Sequence, residues 1–359
     1  MRILYVTTIG GTMNFFKNFV GELVKEGHKV DIATNETNSK VSDYFKELDC
    51  HIYNISTSRS PFSLGNIKAI KQLKKIVCNY DLVHCHTPLA AMATRLACKK
   101  FRKKGLKVIY TAHGFHFYKG APLKNWIIFY PIEKRCSKWT DALITINHED
   151  YEFAKKKMKA KQIIYIPGVG IDVKKFEKTE VDISKKKEEL GLPLDSKIIL
   201  SVGELNENKN HQIVIKALGQ LNDSNIHYVI AGKGDLKDKL EEVAKENNVN
   251  LHLLGFRTDV SELYKIADLY VLPSNREGLN VSIMEALASG CPVIASRIRG
   301  NVDMVAYENT FNPNCVEELV KILNGKPTID SSFVEKADYS IINSTMLSIY
   351  KNFDKKLVK

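Results

Sequence analysis

Short apolar runs and longer stretches with helical apolar spacing alternate along the 359-residue chain. The runs at 1–9, 27–34, 81–86, 106–112, 141–146 and 163–166 are rich in Val, Ile, Leu and Tyr and predict buried strands. Between them, 12–23 sets Phe16, Phe19, Val20 and Leu23 on one helical face, and 66–77 and 89–100 also carry helical spacing. The pattern resumes after residue 180. Strands are predicted at 197–202, 227–231, 249–254, 267–273 and 292–296. Helices are predicted at 181–190, 211–221 and 235–247, and from about 279 to a stop at Gly290-Cys291-Pro292. In the tail, 341–353, Ile342, Met346, Ile349 and Tyr350 share a face.

Strands that alternate with helices imply an α/β chain of parallel sheets, with ligands at the carboxyl ends of the strands. The length suits two domains. Pro167-Gly168-Val169-Gly170 is the best boundary between them. No run of eighteen apolar residues is present, so no membrane-spanning helix is expected, and the start is too short for a signal peptide. Seven dispersed cysteines without a C-x-x-C pair point to reduced thiols in a cytoplasmic protein and away from a zinc site.

Charge sharpens the division. The net charge of +12 splits into +15 over 1–170, −6 over 171–338 and +3 over 339–359. A basic half of this kind favours an anionic partner such as a membrane surface or a lipid phosphate. Nucleic acid is set aside, because basic and aromatic residues are not interleaved on a recognisable platform.

The most informative stretch is Glu277-Gly278-Leu279-Asn280-Val281-Ser282-Ile283-Met284-Glu285, between a strand and a helix. Backbone N–H groups of Leu279, Asn280 and Val281 at the helix start form an anion site, with a carboxylate on either side of it. Strand ends after 202, 230, 254 and 273 carry small or polar loops that can line one groove, and Lys209 adds a point charge there. In the first half, strand one runs into Gly10-Gly11. This is not a full dinucleotide fingerprint, but it allows close backbone approach to a ligand. His86 and His113 fall at strand ends. The stretch 123–139, with Trp126, Pro131 and several Lys and Arg, reads either as an interfacial helix dipping into lipid headgroups or as a helix packed on the sheet.

These motifs together resemble the retaining family 4 glycosyltransferases. The resemblance covers nearly the whole length. Its marks are Gly10-Gly11, Thr111-Ala112-His113-Gly114, Pro167 to Asp172, Ser201-Val202-Gly203 with Lys209, and the E-x7-E motif Glu277 to Glu285. The stretch 110–151 is similar to members that build capsule or exopolysaccharide units on a polyprenyl diphosphate carrier. The implied fold is GT-B, two Rossmann-like doubly wound domains facing across a cleft. The implied domains are an acceptor-side domain, 1–170 plus 340–359, and a nucleotide-sugar donor domain, 171–339. The tail helix would return to the first domain.

The resemblance also assigns roles. Glu277 would contact the donor sugar and the amides of Gly278, Leu279, Asn280 and Val281 the distal phosphate, while Glu285 would hold the ribose. Lys209 would neutralise the leaving diphosphate, and Arg257 would border the base. Gly10 and Gly11 would let the first domain close on the donor. His113 would sit near the reacting carbon or the sugar 6-position. His86, Lys119 and Trp126 fall on the acceptor and membrane side. Glu204 stands where many members carry Arg, so one diphosphate cation is missing, which leaves Lys209 with more of the burden or requires a cation from elsewhere. No Asp-x-Asp pair is present, and no metal or other cofactor is expected.

The implied reaction moves a hexose or N-acetylhexosamine from a nucleotide diphosphate sugar, UDP by default, to a polyprenyl-diphosphate-linked saccharide. The implied place is the inner face of the cytoplasmic membrane, which the basic half would touch peripherally. An epimerase on the same phosphate grip, or a non-catalytic scaffold subunit, are the alternatives.

Overall fold

The computed structural model describes residues 1–329 and 332–354. The chain forms two compact units, one of Met1–Val169 with Tyr339–Lys359 and one of Gly170–Asp338. Each boundary lies one residue before its expected place.

The first unit is built on β1 (Arg2–Val6), β2 (Lys29–Thr34), β3 (Ile52–Asn54), β4 (Leu82–His86), β5 (Lys107–Ala112), β6 (Ala142–Thr145) and β7 (Gln162–Tyr165). They form one parallel sheet in the order β3-β2-β1-β4-β5-β6-β7. Alternate residues of β1 feed opposite cores: Leu4 and Val6 pack with Val83, Val108 and Tyr110, while Ile3 and Tyr5 pack with Val20, Ile32 and Ile109. Burial on both faces is why these strands read as continuous apolar runs.

The second unit repeats the plan with β8 (Lys197–Val202), β9 (Ile226–Ala231), β10 (Asn250–Gly255), β11 (Leu269–Leu272), β12 (Val293–Ser296) and β13 (Thr310–Phe311). Its parallel order is β10-β9-β8-β11-β12-β13. In both sheets the order turns back at one point, between β1 and β4 and between β8 and β11. Loops leaving such neighbours run to opposite faces and open a crevice at the strand ends. Lys209 follows β8 and Glu277 follows β11, so both belong to the crevice of the second unit.

The tail helix Tyr339–Lys351 packs in the first unit with Ile342, Met346, Ile349 and Tyr350 buried. Tyr350 Oη lies 2.5 Å from His84 Nδ1 and donates to Tyr5 Oη at 3.0 Å. Thr111 Oγ1, 2.8 Å from His84 Nε2, continues the chain. The basic residues expected at 355–359 lie outside the described residues.

Pro131 sits inside one continuous helix, Leu123–Ser137, and does not start it. Trp126 turns inward, half-buried against Phe117, Tyr130 and Phe153. Of the two readings of this stretch, the Trp126 ring contacts fit a helix packed on its own unit, while Leu123 and Ile127 are exposed apolar side chains of that helix. Elements that apolar spacing did not reveal are short or highly charged. β3 and β13 hold three and two residues. The helix His148–Lys157 buries only Asp150 and Ala154. Val260–Ile266 and Val316–Leu323 are two further helices of this kind.

Candidate active site

β11 delivers the chain to a loop that ends at Asn280, whose extended backbone caps the helix Val281–Ala288. The Asn280 side chain accepts from the Ser282 N–H at 2.9 Å. Among the described residues, no hydrogen bond uses the N–H groups of Gly278, Leu279, Asn280 or Val281. The cap therefore satisfies one donor deeper in the helix and leaves four successive amides for an anion, at the positive end of the helix dipole.

Two loops are pinned to each other around this point. The Asn275 N–H donates to Asn208 O at 2.7 Å, Asn275 Nδ2 to Glu207 O at 2.9 Å, and Asn208 Nδ2 to Arg276 O at 3.0 Å. Lys209, its backbone held by Asn206 Oδ1, places Nζ 2.7 Å from Glu277 Oε1. Both side chains are largely buried, so the pair is poorly screened.

Glu285 lies one helical turn further on. Tyr264 Oη donates to its Oε2 at 3.0 Å. Burial raises its pKa to about 7, against the lowering effects of Tyr264 and Lys175. Arg257 is engaged elsewhere: it pairs with Asp259 at 2.5 Å and with Glu189 at 2.8 Å, and Lys186 joins the same carboxylates. A base-bordering role would have to use its stem or the neighbouring backbone.

In the first unit, His86 Nδ1 lies 3.1 Å from His113 Nε2. His86 is fully inside the fold, stacked between Tyr5 and Phe16 with ring centroids at 5.5 and 4.1 Å. Burial holds His86 far below the usual imidazole range and His113 at about 4, so both are neutral at pH 7. His113 is half-buried and keeps an outer edge. Lys119 is exposed, its N–H donating to Glu149 Oε1 at 3.0 Å.

At Gly10 and Gly11 a side chain would clash within their own unit. A Cβ on Gly10 would stand 2.3 Å from Ser39 O, and one on Gly11 would stand 2.4 Å from Ser39 Oγ. Residues 39–41 by themselves thus call for glycine at both positions.

The model of the glycosyltransferase family 4 domain matches residues 9–175, and that of glycosyl transferases group 1 matches residues 182–324. The Bacillus subtilis protein EpsD, which its name assigns to the glycosyltransferases, is 38% identical over 268 residues, covering 72% of this chain and 70% of its own. The chain belongs to the family 4 glycosyltransferases. A second relative of this glycosyltransferase is the Escherichia coli UDP-Gal:alpha-D-GlcNAc-diphosphoundecaprenol alpha-1,3-galactosyltransferase. It is 30% identical over 302 residues, with 79% of this chain and 75% of the relative covered. The GT-B fold is shared with Anabaena HepE, solved in complex with UDP and glucose. That match has a TM-score of 0.80 and 19% identity, over 98% of this chain and 100% of HepE.

One residue of the glycosyltransferase escaped sequence reasoning altogether. Arg299, buried at the turn after β12, donates from Nε to Glu277 O at 3.2 Å. Its neighbour Gly300, at φ +82°, packs so closely that a Cβ would stand 2.2 Å from Gly278 O. Together they hold the Glu277 loop from behind and add a fixed positive charge to it. Glu204 is exposed and accepts from Asn206 Nδ2 at 2.8 Å. An Arg-Gly pair in a loop has no distinctive local pattern; only the neighbouring strands bring it under residue 277.

Proposed function

We propose that this glycosyltransferase moves a hexose or N-acetylhexosamine, with retention of configuration, from a UDP-sugar to a polyprenyl-diphosphate-linked saccharide in cell-surface polysaccharide assembly. The observation that carries the reading is the helix start at Val281, with four amides not engaged within the described chain, Glu277 and Glu285 on either side, and Lys209 alongside. A diphosphate leaving group gains negative charge as the glycosidic bond breaks, and preorganised amides and a lysine stabilise it in place. Glu277, oriented by Lys209 and by Arg299 behind its carbonyl, is placed to accept from sugar hydroxyls. Glu285 is placed to accept from the ribose. The acceptor oxygen forms the new bond to the anomeric carbon on the face that the diphosphate leaves, and its proton passes to a phosphate oxygen. His113, neutral and half-buried, is the first unit's candidate contact to the sugar.

Two relatives support the acceptor class. The E. coli enzyme is named for a GlcNAc-diphosphoundecaprenol acceptor. A Campylobacter jejuni relative, 27% identical over 346 residues, is named N,N'-diacetylbacillosaminyl-diphospho-undecaprenol alpha-1,3-N-acetylgalactosaminyltransferase. Among the described residues no helix is long and apolar enough to cross a membrane. The membrane contact proposed is peripheral. The first unit exposes Phe62, Leu64 and Ile67 beside Lys68 and Lys71, and Leu123 and Ile127 beside Lys124. Apolar side chains set among lysines suit an anionic headgroup layer.

The test is direct. The purified enzyme is incubated with UDP-sugars and a short-chain polyprenyl-diphosphate saccharide, and the product is read by mass spectrometry with the new anomeric configuration by NMR. Transfer with retention, lost in Glu277→Gln, is expected. Interconversion of the UDP-sugar without acceptor, or binding without turnover, would overturn the proposal.

A further inference from the structure

The first unit contains a small cavity of about 40 Å³ between the ends of its strands and two helices. Phe16, Phe19, Ile144, Ile146 and Met346 give it a mainly apolar lining. Two of its lining residues, His86 and Asn343, carry buried polar atoms that have no hydrogen-bond partner among the described residues: His86 Nε2 and Asn343 Oδ1. His86 is 1% exposed and Asn343 9%. Buried polar atoms are rarely left unpaired, because water is forfeited without a replacement. The His86 ring is not at liberty to seek another partner. The His86 ring is stacked between Tyr5 and Phe16 and tied through Nδ1 to His113. Asn343 sits on the buried face of the tail helix.

The two atoms make complementary demands. When His113 Nε2–H donates to His86 Nδ1, the His86 proton resides on Nε2, which then requires an acceptor. Asn343 Oδ1 requires a donor. A water or a lone hydroxyl could meet both needs, yet would leave the aliphatic lining without contacts. An acetamido group offers a carbonyl, an N–H and a methyl. Its four heavy atoms suit a space that would hold roughly three waters.

We propose that this cavity receives the acetamido group of an N-acetylated amino sugar in the acceptor. The carbonyl accepts from His86 Nε2–H, the amide N–H donates to Asn343 Oδ1, and the methyl packs among Ile144, Ile146 and Met346. The assignment rests on the reading of the chain as a transferase with a saccharide acceptor. It makes His86 and Asn343 specificity-determining residues: a sugar with a plain hydroxyl at that carbon leaves both polar atoms and the apolar lining unmatched.

The experiment uses the full chain labelled with [13C-methyl]methionine. The Met346 resonance is followed during titration with methyl α-N-acetylglucosaminide and with methyl α-glucoside. The N-acetyl probe is expected to move the Met346 signal at least tenfold more tightly than the glucoside. Asn343→Leu is expected to abolish the preference while UDP binding by calorimetry is unchanged and the resonances of the first-unit methionines Met13, Met92 and Met158 keep their wild-type positions, which shows that the first unit folds. His86→Phe is expected to do the same. Equal binding of the two probes, or a preference that survives Asn343→Leu, overturns the assignment. Equal kcat/KM for transfer to glucose- and N-acetylglucosamine-headed acceptors also overturns it, while leaving the transferase reading intact. Intact N-acetyl preference with no transfer to any acceptor supports the cavity and removes the transferase reading instead.

Discussion

Lys209 Nζ and Glu277 Oε1 lie 2.7 Å apart although their residues are 68 positions apart in the chain. Each follows one of the two strands that flank the reversal in the second sheet, so the topology brings them together. The pair gives the loop after β11 one positive and one negative group at fixed positions.

Lys209→Ala is therefore expected to lower turnover by about 10²–10³-fold, the range for removing one preorganised transition-state contact. Because Glu277 loses its partner too, the double variant Lys209→Ala/Glu277→Ala should be much less impaired than the product of the two singles. Steady-state kinetics of the four proteins checks this; strict additivity would separate the two roles.

Glu285 links stability to pH. Its pKa is raised to about 7 from an ordinary 4.5, so the folded enzyme keeps a proton that the unfolded chain loses between those values. Stability from this group is full below pH 4.5, falls as pH rises to 7, and is flat above. The loss is roughly 3 kcal/mol at most. The melting-temperature difference between wild type and Glu285→Gln should change across pH 5–8 in the direction that favours the variant at high pH. A difference independent of pH would show that the carboxyl does not titrate there.

Gly300→Ala tests the support behind the Glu277 loop. With φ at +82° and a Cβ placed 2.2 Å from Gly278 O, the substitution meets both backbone strain and a backbone clash. A loss of about 1–3 kcal/mol in stability is expected. Weakened UDP binding should accompany it, as the Gly278 amide is displaced. Unchanged affinity by calorimetry would detach this turn from the donor site.

In the first unit, Arg95 and Glu133 form a buried ion pair at 2.8 Å, with the guanidinium over the Tyr110 ring. Arg95→Met alone leaves a buried carboxyl without its partner and should destabilise by about 3–5 kcal/mol. The double change Arg95→Met/Glu133→Leu should recover most of that, because both desolvated groups are gone. Urea denaturation of the three proteins measures it; a double variant as unstable as the single would mean that the pair itself specifies the packing.

The uneven charge predicts membrane behaviour. Binding to anionic liposomes should weaken several-fold between low and physiological salt, as exposed lysines are screened. Binding to neutral vesicles that ignores salt would refute an electrostatic attachment.

Much of the architecture is legible from the chain alone. Parallel strands buried on both faces appear as apolar runs, as in 81–86 and 267–273, and the helix from Val281 announces itself through its stop at Gly290. The Glu277 to Glu285 spacing is equally local, because it depends only on a loop joined to a helix. What fails is what a neighbour decides. β13 holds two residues and exists because β12 offers it a register, Ala295 to Thr310 and Ser296 to Phe311. Trp126 shows the same limit: composition places it among lysines, whereas Phe117 and Phe153 turn it inward.

By itself the sequence determined the alternation of strands and helices, the two-part division, and the acidic residues on either side of the helix start. All of these follow from backbone preference and apolar period over a few residues. The tertiary structure alone decided that Lys209 meets Glu277, that Arg299 lies behind that loop, and that His86 and Asn343 share a cavity. Such meetings join segments tens to hundreds of residues apart. They are set by strand order and packing, which no local pattern of side chains encodes.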